Sequence, residues 1–418
     1  YKAGPGAFYD VGTDPSFEKK TRLTEDKSDL LALLKAIQQK GTALENFVFD
    51  NIDIPGQLEY MATTAVTQNI DASDKNHFLY RDTEGTGEWV MLPWDLDLTF
   101  GPDALNTDNM VYAEEGTSHP FIGARPYLLS TGKYNVFLET IVNTPRTRQM
   151  LLCRIRSLVD QYLAAGYFQG RIDALAAAIG PDVKLDQAKW KADGYFSGNF
   201  YTLPQALDRI KNEYLTPRVG YLRSLNLPGI GAANPGFQPY APPIHFGERL
   251  VTPPTGNQDE EYVQLVNTND YPVDLSGWRI TGDISMTLRA GTVLPTNGVL
   301  YLSPKVPVFR ARASAPTRGQ GLFVQGNYQG HMNARGGTVR LLNTFGREID
   351  TLTYDPHPSL TQQYLQVTEL MYHPPVLPGD AYPVEEYEYL ELRNASPSTT
   401  LPLTGVRFVR GLLFDFTS

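Results

Sequence analysis

A proline- and glycine-rich segment, LPGIGAANPGFQPYAPP (227–243), divides the chain into two unlike parts. Before it, apolar residues recur at helical spacing, as in SDLLALLKAIQQKG (28–41), where they occupy positions i, i+3, i+4 and i+7. After it, short β-rich runs alternate with turn residues, which is typical of a β-sandwich. Because proline and glycine interrupt helices and strands alike, the segment itself is predicted to be a linker, at about 229–243. We therefore expect a multidomain α+β protein with a mainly helical domain over 1–228.

Helical periodicity marks five segments before the linker, and the third of them is broken near Pro145. The predicted helices are 28–41, 56–67, 134–165, 170–179 and 203–225. One hairpin is predicted between the second and the third. Its strands are HFLYR (77–81) and EWVML (88–92), which are β-rich and flank the glycine-bearing turn DTEGTG (82–87).

The β-rich part contains an internal repeat at a period of roughly 120 residues. Three pairs of segments match: EYVQLVN (261–267) with EYLELRN (388–394), LSGWRITG (275–282) with LTGVRFVR (403–410), and Glu248 plus Pro253–Pro254 with Glu369 plus Pro374–Pro375. One type of domain therefore occurs twice, completely over about 244–356 and as a truncated copy over 364–418. Half a sandwich cannot cover its inner faces or pair its edge strands, so we expect the natural protein to continue beyond Ser418.

The composition argues against several classes of protein. The chain carries 36 Lys and Arg against 46 Asp and Glu, a net charge of −10, which disfavours nucleic acid as a main partner. No run of about 18 apolar residues is present, so no transmembrane segment is predicted. The single cysteine, Cys153, excludes a disulfide scaffold and is predicted to be a buried apolar side chain on a helix.

Two aspartates, Asp95 and Asp97, lie among apolar residues in PWDLDLTFG (93–101). Buried charges are costly unless something pairs with them, so these two need an explanation. We expect their apolar neighbours to pack and hold the loop rigid; these are Trp94, Leu96, Leu98 and Phe100.

The hairpin predicts what lies beside Asp95. Reflection of its strands about a turn centre near residue 85 sets residue 76 opposite residue 94, unless a bulge shifts the register. The loop NIDASDKN (69–76) should then bring Asp71 and Asn76 next to Asp95. Carboxylate and carboxamide oxygens suit a hard cation such as Mg²⁺.

The spacing of Asp71 and Asn76 is also that of a protein-kinase catalytic loop. In such a loop the aspartate accepts the proton of the substrate hydroxyl, the asparagine holds metal, and a later aspartate bridges metal to phosphate; Asp95 fits that third role. Simpler alternatives stay open. Asp71 could be a helix or turn cap, Asn76 a turn residue, and Asp97 half of a buried ion pair, for which the candidate partners are Arg81 and Arg125. An Asp-x-Asp metal site of another enzyme class, such as a sugar-nucleotide transferase, is disfavoured by the hairpin and the spacing.

The segment NHFLYRDTEGTGEWVMLPWDLDLTFG (76–101) closely resembles the signature of the CotH kinase family, which are atypical protein kinases. The resemblance extends over about 1–228, through FEKKTRLTEDKSDLLALLKAIQQ (17–39) and through helical segments after the signature. The first β domain resembles the lamin-tail domain, an immunoglobulin-like sandwich, at these positions: Glu248, Pro253–Pro254, Glu261–Tyr262, Leu265, Asn267 and Leu275–Trp278.

The resemblance to the CotH kinase family implies roles for the matched residues. Asp71 would be the catalytic aspartate, Asn76 and Asp95 would bind ATP and its metal ion, and Asp97 would be a further metal ligand of less certain role. The implied reaction transfers the γ-phosphoryl group of ATP to a protein side chain, with serine expected, using Mg²⁺ or Mn²⁺. The alternative is a non-catalytic structural or adhesion protein whose β domains carry the function.

The resemblance and the β domains imply an extracytoplasmic location, secreted or at the cell surface of a bacterium. The expected partners are a protein substrate and a surface or extracellular protein bound through the β domains.

One part of a kinase is not evident in the sequence. A kinase needs a phosphate-covering loop and a strand lysine, but no strand-loop-strand pattern surrounds the glycine-rich AGPGAF (3–8), which is predicted to be a plain loop. Lys19 and Lys20 follow in FEKKT without a clear strand. We therefore expect the N-terminal lobe to be missing from this chain, and the chain alone to bind ATP poorly.

Overall fold

A computed structural model describes the chain over residues 1–8, 16–69, 72, 75–101, 110, 112, 135–192, 201–224, 235–375, 379 and 381–416. The order of elements is a helical domain with a small sheet, a β-sandwich, and a second, shorter set of strands. This is the α+β arrangement that the sequence predicts.

Each predicted segment of the helical domain forms helix in the structure, but the helix Gly41–Asn51 was not predicted, and the helix predicted at 170–179 continues through Pro181 to Ala192. The helices of the domain are α1 (Ser28–Ala36), α2 (Gly41–Asn51), α3 (Ile54–Thr67), α4 (Val136–Asn143), α5 (Pro145–Leu158), α6 (Tyr167–Ala192), α7 (Leu203–Asp208) and α8 (Thr216–Arg223). Proline at the first position of α5 separates it from α4, as predicted, because a helix tolerates proline only in its first turn. Wider π-helical turns follow α5 at Val159–Leu163 and α7 at Arg209–Leu215.

A four-stranded sheet has the order β2-β1-β3-β4. Its strands are β1 (Lys2–Ala3), β2 (Phe17–Glu18), β3 (His77–Arg81) and β4 (Trp89–Pro93). Residues 4–8 of AGPGAF form a loop, as predicted, but the expectation that no strands flank it is wrong: β1 precedes the glycines, its antiparallel partner β2 follows, and the Gly4 N–H donates to the Ser16 carbonyl at 2.6 Å. Strands of two residues are too short to show an alternating pattern, which is why periodicity did not reveal them.

Helix α3 lies at the centre of the helical domain and is buried over most of its length. Asp53 caps its first turn by accepting from the Gly56 N–H at 3.2 Å. The buried Gln57 side chain accepts from the Met91 N–H at 3.0 Å, which joins α3 to β4.

The first β domain is a sandwich. Its strands are β5 (His245–Leu250), β6 (Tyr262–Val266), β7 (Val273–Asp274), β8 (Arg279–Gly282), β9 (Ile284–Thr287), β10 (Val293–Leu294), β11 (Val299–Leu302), β12 (Phe323–Gln325), β13 (Gln329–Gly330), β14 (Gly337–Leu342) and β15 (Glu348–Tyr354), with a short helix α9 (Val306–Arg310). Two sheets, β12-β11-β6-β5 and β13-β9-β8-β14-β15, supply a buried apolar core that includes Leu265, Trp278 and Leu300. The β-sandwich prediction is confirmed.

The sequence repeat is also a structural repeat. The second copy contains α10 (Leu360–Tyr364), β16 (Leu365–Met371), β17 (Tyr389–Asn394), β18 (Arg407–Arg410) and β19 (Leu412–Asp415). Strands β16 and β17 pair as β5 and β6 do, and both pairs carry a register shift at the equivalent place. Within the described ranges, no helix is long and apolar enough to cross a membrane.

The helical domain and the sandwich share one continuous apolar core among the described residues. Phe49 of α2 packs against Phe323 of β12, with ring centroids 6.1 Å apart. Cys153 of α5 is buried at this joint with its Sγ 3.7 Å from the Pro272 carbonyl, and burial raises the pKa of the thiol well above its usual range. The cysteine is thus a buried helical side chain, as predicted.

Candidate functional site

The hairpin brings Asn76 beside Asp95. Strands β3 and β4 pair with His77 opposite Pro93, and the Trp94 N–H then donates to the Asn76 carbonyl at 3.0 Å. The predicted register, with residue 76 opposite residue 94, is therefore confirmed. The third member of the expected constellation, Asp71, lies outside the described residues.

The backbone is left-handed at both residues, with φ of 57° at Asn76 and 58° at Asp95. Asparagine and aspartate adopt this conformation more readily than other residues with a Cβ. Phe100 is also left-handed, with φ of 62°, and its N–H donates to the Thr67 carbonyl at 2.7 Å. Unusual backbone geometry thus accumulates where the ends of α3 and β4 meet, and such geometry is more frequent at functional sites.

The loop after β4 is open to solvent. Asp95 and Asp97 are exposed, and the side chains of Trp94 and Leu96 each retain 50% of their accessible surface. Trp94 nevertheless packs edge-on against Phe78, with ring centroids 5.4 Å apart, and Phe100 packs against Phe168 at the same centroid distance. The expectation that the apolar neighbours form the packing of the loop is wrong for Leu96, which is half exposed.

Exposure also decides the alternative for Asp97. The alternative that Asp97 forms half of a buried ion pair is wrong, because Asp97 is exposed. Arg81, one proposed partner, instead lies 3.8 Å from Asp29 and stacks on Trp89; Arg125 lies outside the described residues. Exposed carboxylates remain accessible to a ligand.

His77 forms a rigid support behind Asn76. It is fully buried, its ring lies 6.1 Å from Phe8 and 6.4 Å from Phe17, and its Nδ1 lies 3.0 Å from the Lys75 carbonyl. Since a carbonyl only accepts, we assign the ring proton to Nδ1. Burial lowers the pKa of His77 to about 4, so the ring is neutral at physiological pH.

A cavity of about 690 Å³ lies alongside Asn76 and is rich in lysine. Its lining includes Lys2, Lys19, Lys27 and Lys75, together with Gly4, Pro5 and Asn76. One acidic residue, Glu18, also lines it. Although Lys19 also lies 3.6 Å from the Glu25 carboxylate, the four lysines outnumber this one lining carboxylate, so the cavity carries a local excess of positive charge that favours an anion.

Two of these lysines are held in place by the backbone. Lys19 donates to the carbonyls of Glu25 and Asp26 at 3.2 and 2.7 Å, and Lys27 donates to the carbonyl of Phe17 at 2.8 Å. The ammonium group of Lys2 lies 5.6 Å from the centre of the Trp94 ring, which connects the cavity to the Asp95 loop. Sequence reasoning missed Lys2, Lys27 and Lys75, because only the pairing of β1 with β2 and β3 brings them together.

The metal-binding capacity of the described part of the chain rests on few groups. No cluster of three or more His, Cys, Asp or Glu side chains suited to a metal occurs among the described residues. The carboxylates of Asp95 and Asp97 and the amide of Asn76 are nevertheless the oxygen donors that Mg²⁺ takes, a set to which water and phosphate oxygens are usually added.

Comparison with protein-family models identifies the family of the helical domain. The model described as CotH kinase protein matches residues 8–219, just over half of the 418 residues. The chain belongs to the CotH kinase protein family. A second model, Lamin Tail Domain, matches residues 240–356, so the first sandwich is a lamin-tail domain attached to the CotH domain.

A curated relative of the CotH domain is inner spore coat protein H of Bacillus subtilis (strain 168). It is 26% identical over 174 residues, which cover 41% of this chain and 44% of the relative. The chain therefore matches less than half the length of that relative.

Proposed function

We propose that the CotH domain is a metal-dependent protein kinase that transfers the γ-phosphoryl group of ATP to a serine side chain. The observation that carries the proposal is the position of Asn76, which lies beside Asp95 and also lines the lysine-rich cavity. A metal-binding edge and a polyphosphate-binding cavity next to each other are what phosphoryl transfer requires, since its catalysis is mostly positioning and charge neutralisation.

The residues would divide the work as follows. Asp95 and Asn76, with Asp97 as a further candidate, would hold Mg²⁺ or Mn²⁺, which when bound neutralises charge on the phosphate oxygens. The lysines of the cavity would bind the phosphates. The volume of the cavity, about 690 Å³, lies in the range of small-molecule sites, and we propose ATP as its ligand.

The transfer itself is a substitution at phosphorus. The oxygen of the acceptor serine forms a bond to the γ-phosphorus while the bond from that phosphorus to the β–γ bridging oxygen breaks, and ADP leaves with the bridging oxygen. The carboxylate of Asp71 would accept the proton of the serine hydroxyl, a role that comes from the family resemblance.

The location and partners are inferred from the relative and from the appended domains. Inner spore coat protein H is named for the spore coat. We propose an extracytoplasmic location for this chain, secreted or at the surface of a bacterium, with a protein substrate that the lamin-tail domains help to select.

Labelling with ATP tests the activity. The 418-residue chain, given γ-labelled ATP and Mg²⁺ or Mn²⁺, is expected to label itself or an added protein. Asp95→Ala is expected to lower the rate by about a hundredfold or more, because a charge-stabilising ligand is lost. Asp270→Ala, at an exposed aspartate of the lamin-tail domain, serves as the matched control and is expected to label normally.

Two results would contradict the proposal. Unchanged labelling in Asp95→Ala would show that Asp95 is not part of the phosphoryl-transfer site. No labelling by the folded wild-type chain with either metal would favour the non-catalytic alternative, in which the β domains carry the function.

A further inference from the structure

Two arginines of the lamin-tail domain form ion pairs with the CotH domain. Arg310 of α9 donates to Asp50 at 2.8 Å and to Glu88 at 2.6 Å, and the three side chains are each only 6% exposed. Burial raises the pKa of the Glu88 carboxyl, and the guanidinium of Arg310 opposes that rise. Removing Arg310 would therefore leave two carboxyl groups buried without their cation.

The second arginine, Arg289, forms a bidentate pair with Asp53, with N–O distances of 2.8 and 2.7 Å. Asp53 is the residue that caps α3, and its own N–H donates to the Trp89 carbonyl at 2.9 Å. The approach is close: a Cβ added at Gly291, whose φ is +82°, would lie 2.0 Å from the Pro55 carbonyl oxygen.

The paired carboxylates stand at the starts of the two elements that end at the candidate site. Glu88 directly precedes β4, which leads to Asp95, and Asp53 directly precedes α3, which leads to the loop containing Asn76. The 14 residues of α3 span about 21 Å and the five of β4 about 17 Å. Each element thus contacts the lamin-tail domain at one end and forms the site at the other.

Other contacts make this joint rigid. Arg154 of α5 donates to Asp274 of the lamin-tail domain at 2.9 Å and to Glu59 of α3 at 2.6 Å. Gln149 exchanges two hydrogen bonds with Thr296 across the joint, at 2.9 and 3.0 Å. Buried charge pairs and a shared core are unlike the contacts of a domain that moves on a linker.

We infer that the lamin-tail domain is a fixed structural part of the CotH site, and that Arg289 and Arg310 are positioning residues for Asp95 and Asn76. Neither arginine touches the site; each acts through β4 or α3. The positioning of the loops stands on the contacts alone, while its consequence for phosphoryl transfer rests on the proposed function.

Hydrogen exchange of the full chain tests the positioning without any need for turnover. In Arg289→Ala, the amides of residues 93–101 are expected to exchange about tenfold faster or more, because local opening costs less free energy. The amides of β8 and β14, within the sandwich, are expected to keep their protection. Arg289→Lys retains the charge but cannot form the bidentate pair with Asp53, so it is expected to restore only part of the protection.

The control is Arg340→Ala, which removes an exposed arginine paired only at 3.5 Å with Glu348 of the same domain. It is expected to leave residues 93–101 unchanged. Arg310→Met should act like Arg289→Ala but with a larger loss of stability. Should that variant not fold, Arg289→Ala remains informative, since the Arg289 side chain is 44% exposed.

Exchange in residues 93–101 that is unchanged in folded Arg289→Ala would overturn the inference. The inference would also be overturned if Asp95→Ala abolishes ATP labelling while Arg289→Ala leaves it unchanged. Faster exchange at residues 93–101 together with no labelling by the wild-type chain would support the positioning and contradict the proposed kinase function, so the two failures are distinguishable.

Discussion

The two ends of α3 and β4 treat their carboxylates in opposite ways. At the end that contacts the lamin-tail domain, Asp50, Glu88 and Asp53 are covered and paired with arginine. At the other end, Asp95 and Asp97 are exposed, and Asp95 has a left-handed backbone. Buried and paired carboxylates hold the structure together, whereas exposed ones at a strained corner are available for a ligand.

The difference follows from the cost of burying charge. A buried carboxylate is tolerated only with a partner, and removing the partner leaves the full desolvation cost. An exposed carboxylate is solvated by water and contributes little to stability. Substitutions at the two ends should therefore separate stability from activity.

The largest effect on stability is expected at the end of α3 and β4 that contacts the lamin-tail domain. Arg310→Met should lower the free energy of unfolding by about 3–5 kcal/mol, because it leaves Asp50 and Glu88 buried without a cation. Chemical denaturation measures this loss. Arg340→Met, at an exposed arginine, should cost no more than about 1 kcal/mol. A loss below about 1 kcal/mol in Arg310→Met would break the comparison between the two ends.

A somewhat smaller loss of stability is expected on acidification. It arises from His77, the buried residue next to Asn76 at the candidate site. The pKa of His77 is about 4 in the folded chain against an ordinary value of 6.5, so folding disfavours the protonated ring. Stability from neutral His77 is therefore fully present above pH 6.5 and falls as the pH drops toward 4, by about 3 kcal/mol in all.

The measurement is unfolding at several pH values in His77→Phe, which should lose this part of the pH dependence. His245→Gln, at an exposed histidine, should keep it. If the free energy of unfolding depends on pH equally in His77→Phe and in the wild-type chain, His77 does not make this contribution to stability.

The smallest effect on stability is expected at the exposed carboxylate. Asp95→Gly should leave stability unchanged or raise it by up to about 1 kcal/mol, because glycine adopts positive φ without strain. The same variant should lose ATP labelling. Asp53→Gly is the matched change at the end that contacts the lamin-tail domain. It should destabilise the folded chain, because it removes both the cap of α3 and the ion pair with Arg289. Similar losses of stability in both variants would make Asp95 a structural residue.

Local patterns predicted a large part of this architecture. The hairpin register followed from the turn between HFLYR and EWVML, and it alone indicated that Asn76 lies beside Asp95. The repeat in the β region was visible as matching strings, and the structure shows the same strand pair in both copies. The two-residue strands around Gly4 were not predicted, because so short a pairing leaves no periodic signal.

The sequence by itself determined most of the longer elements, the order of the domains and the pairing that sets Asn76 against Asp95, since each depends on residues close together in the chain. Tertiary structure decided which charges are buried and which side chains gather around the cavity. Arg310 meets Asp50 across 260 residues and Glu88 across 222, and Arg289 meets Asp53 across 236. Burial depends on what packs against a residue, and contacts between residues so far apart exist only once the CotH and lamin-tail domains share a core.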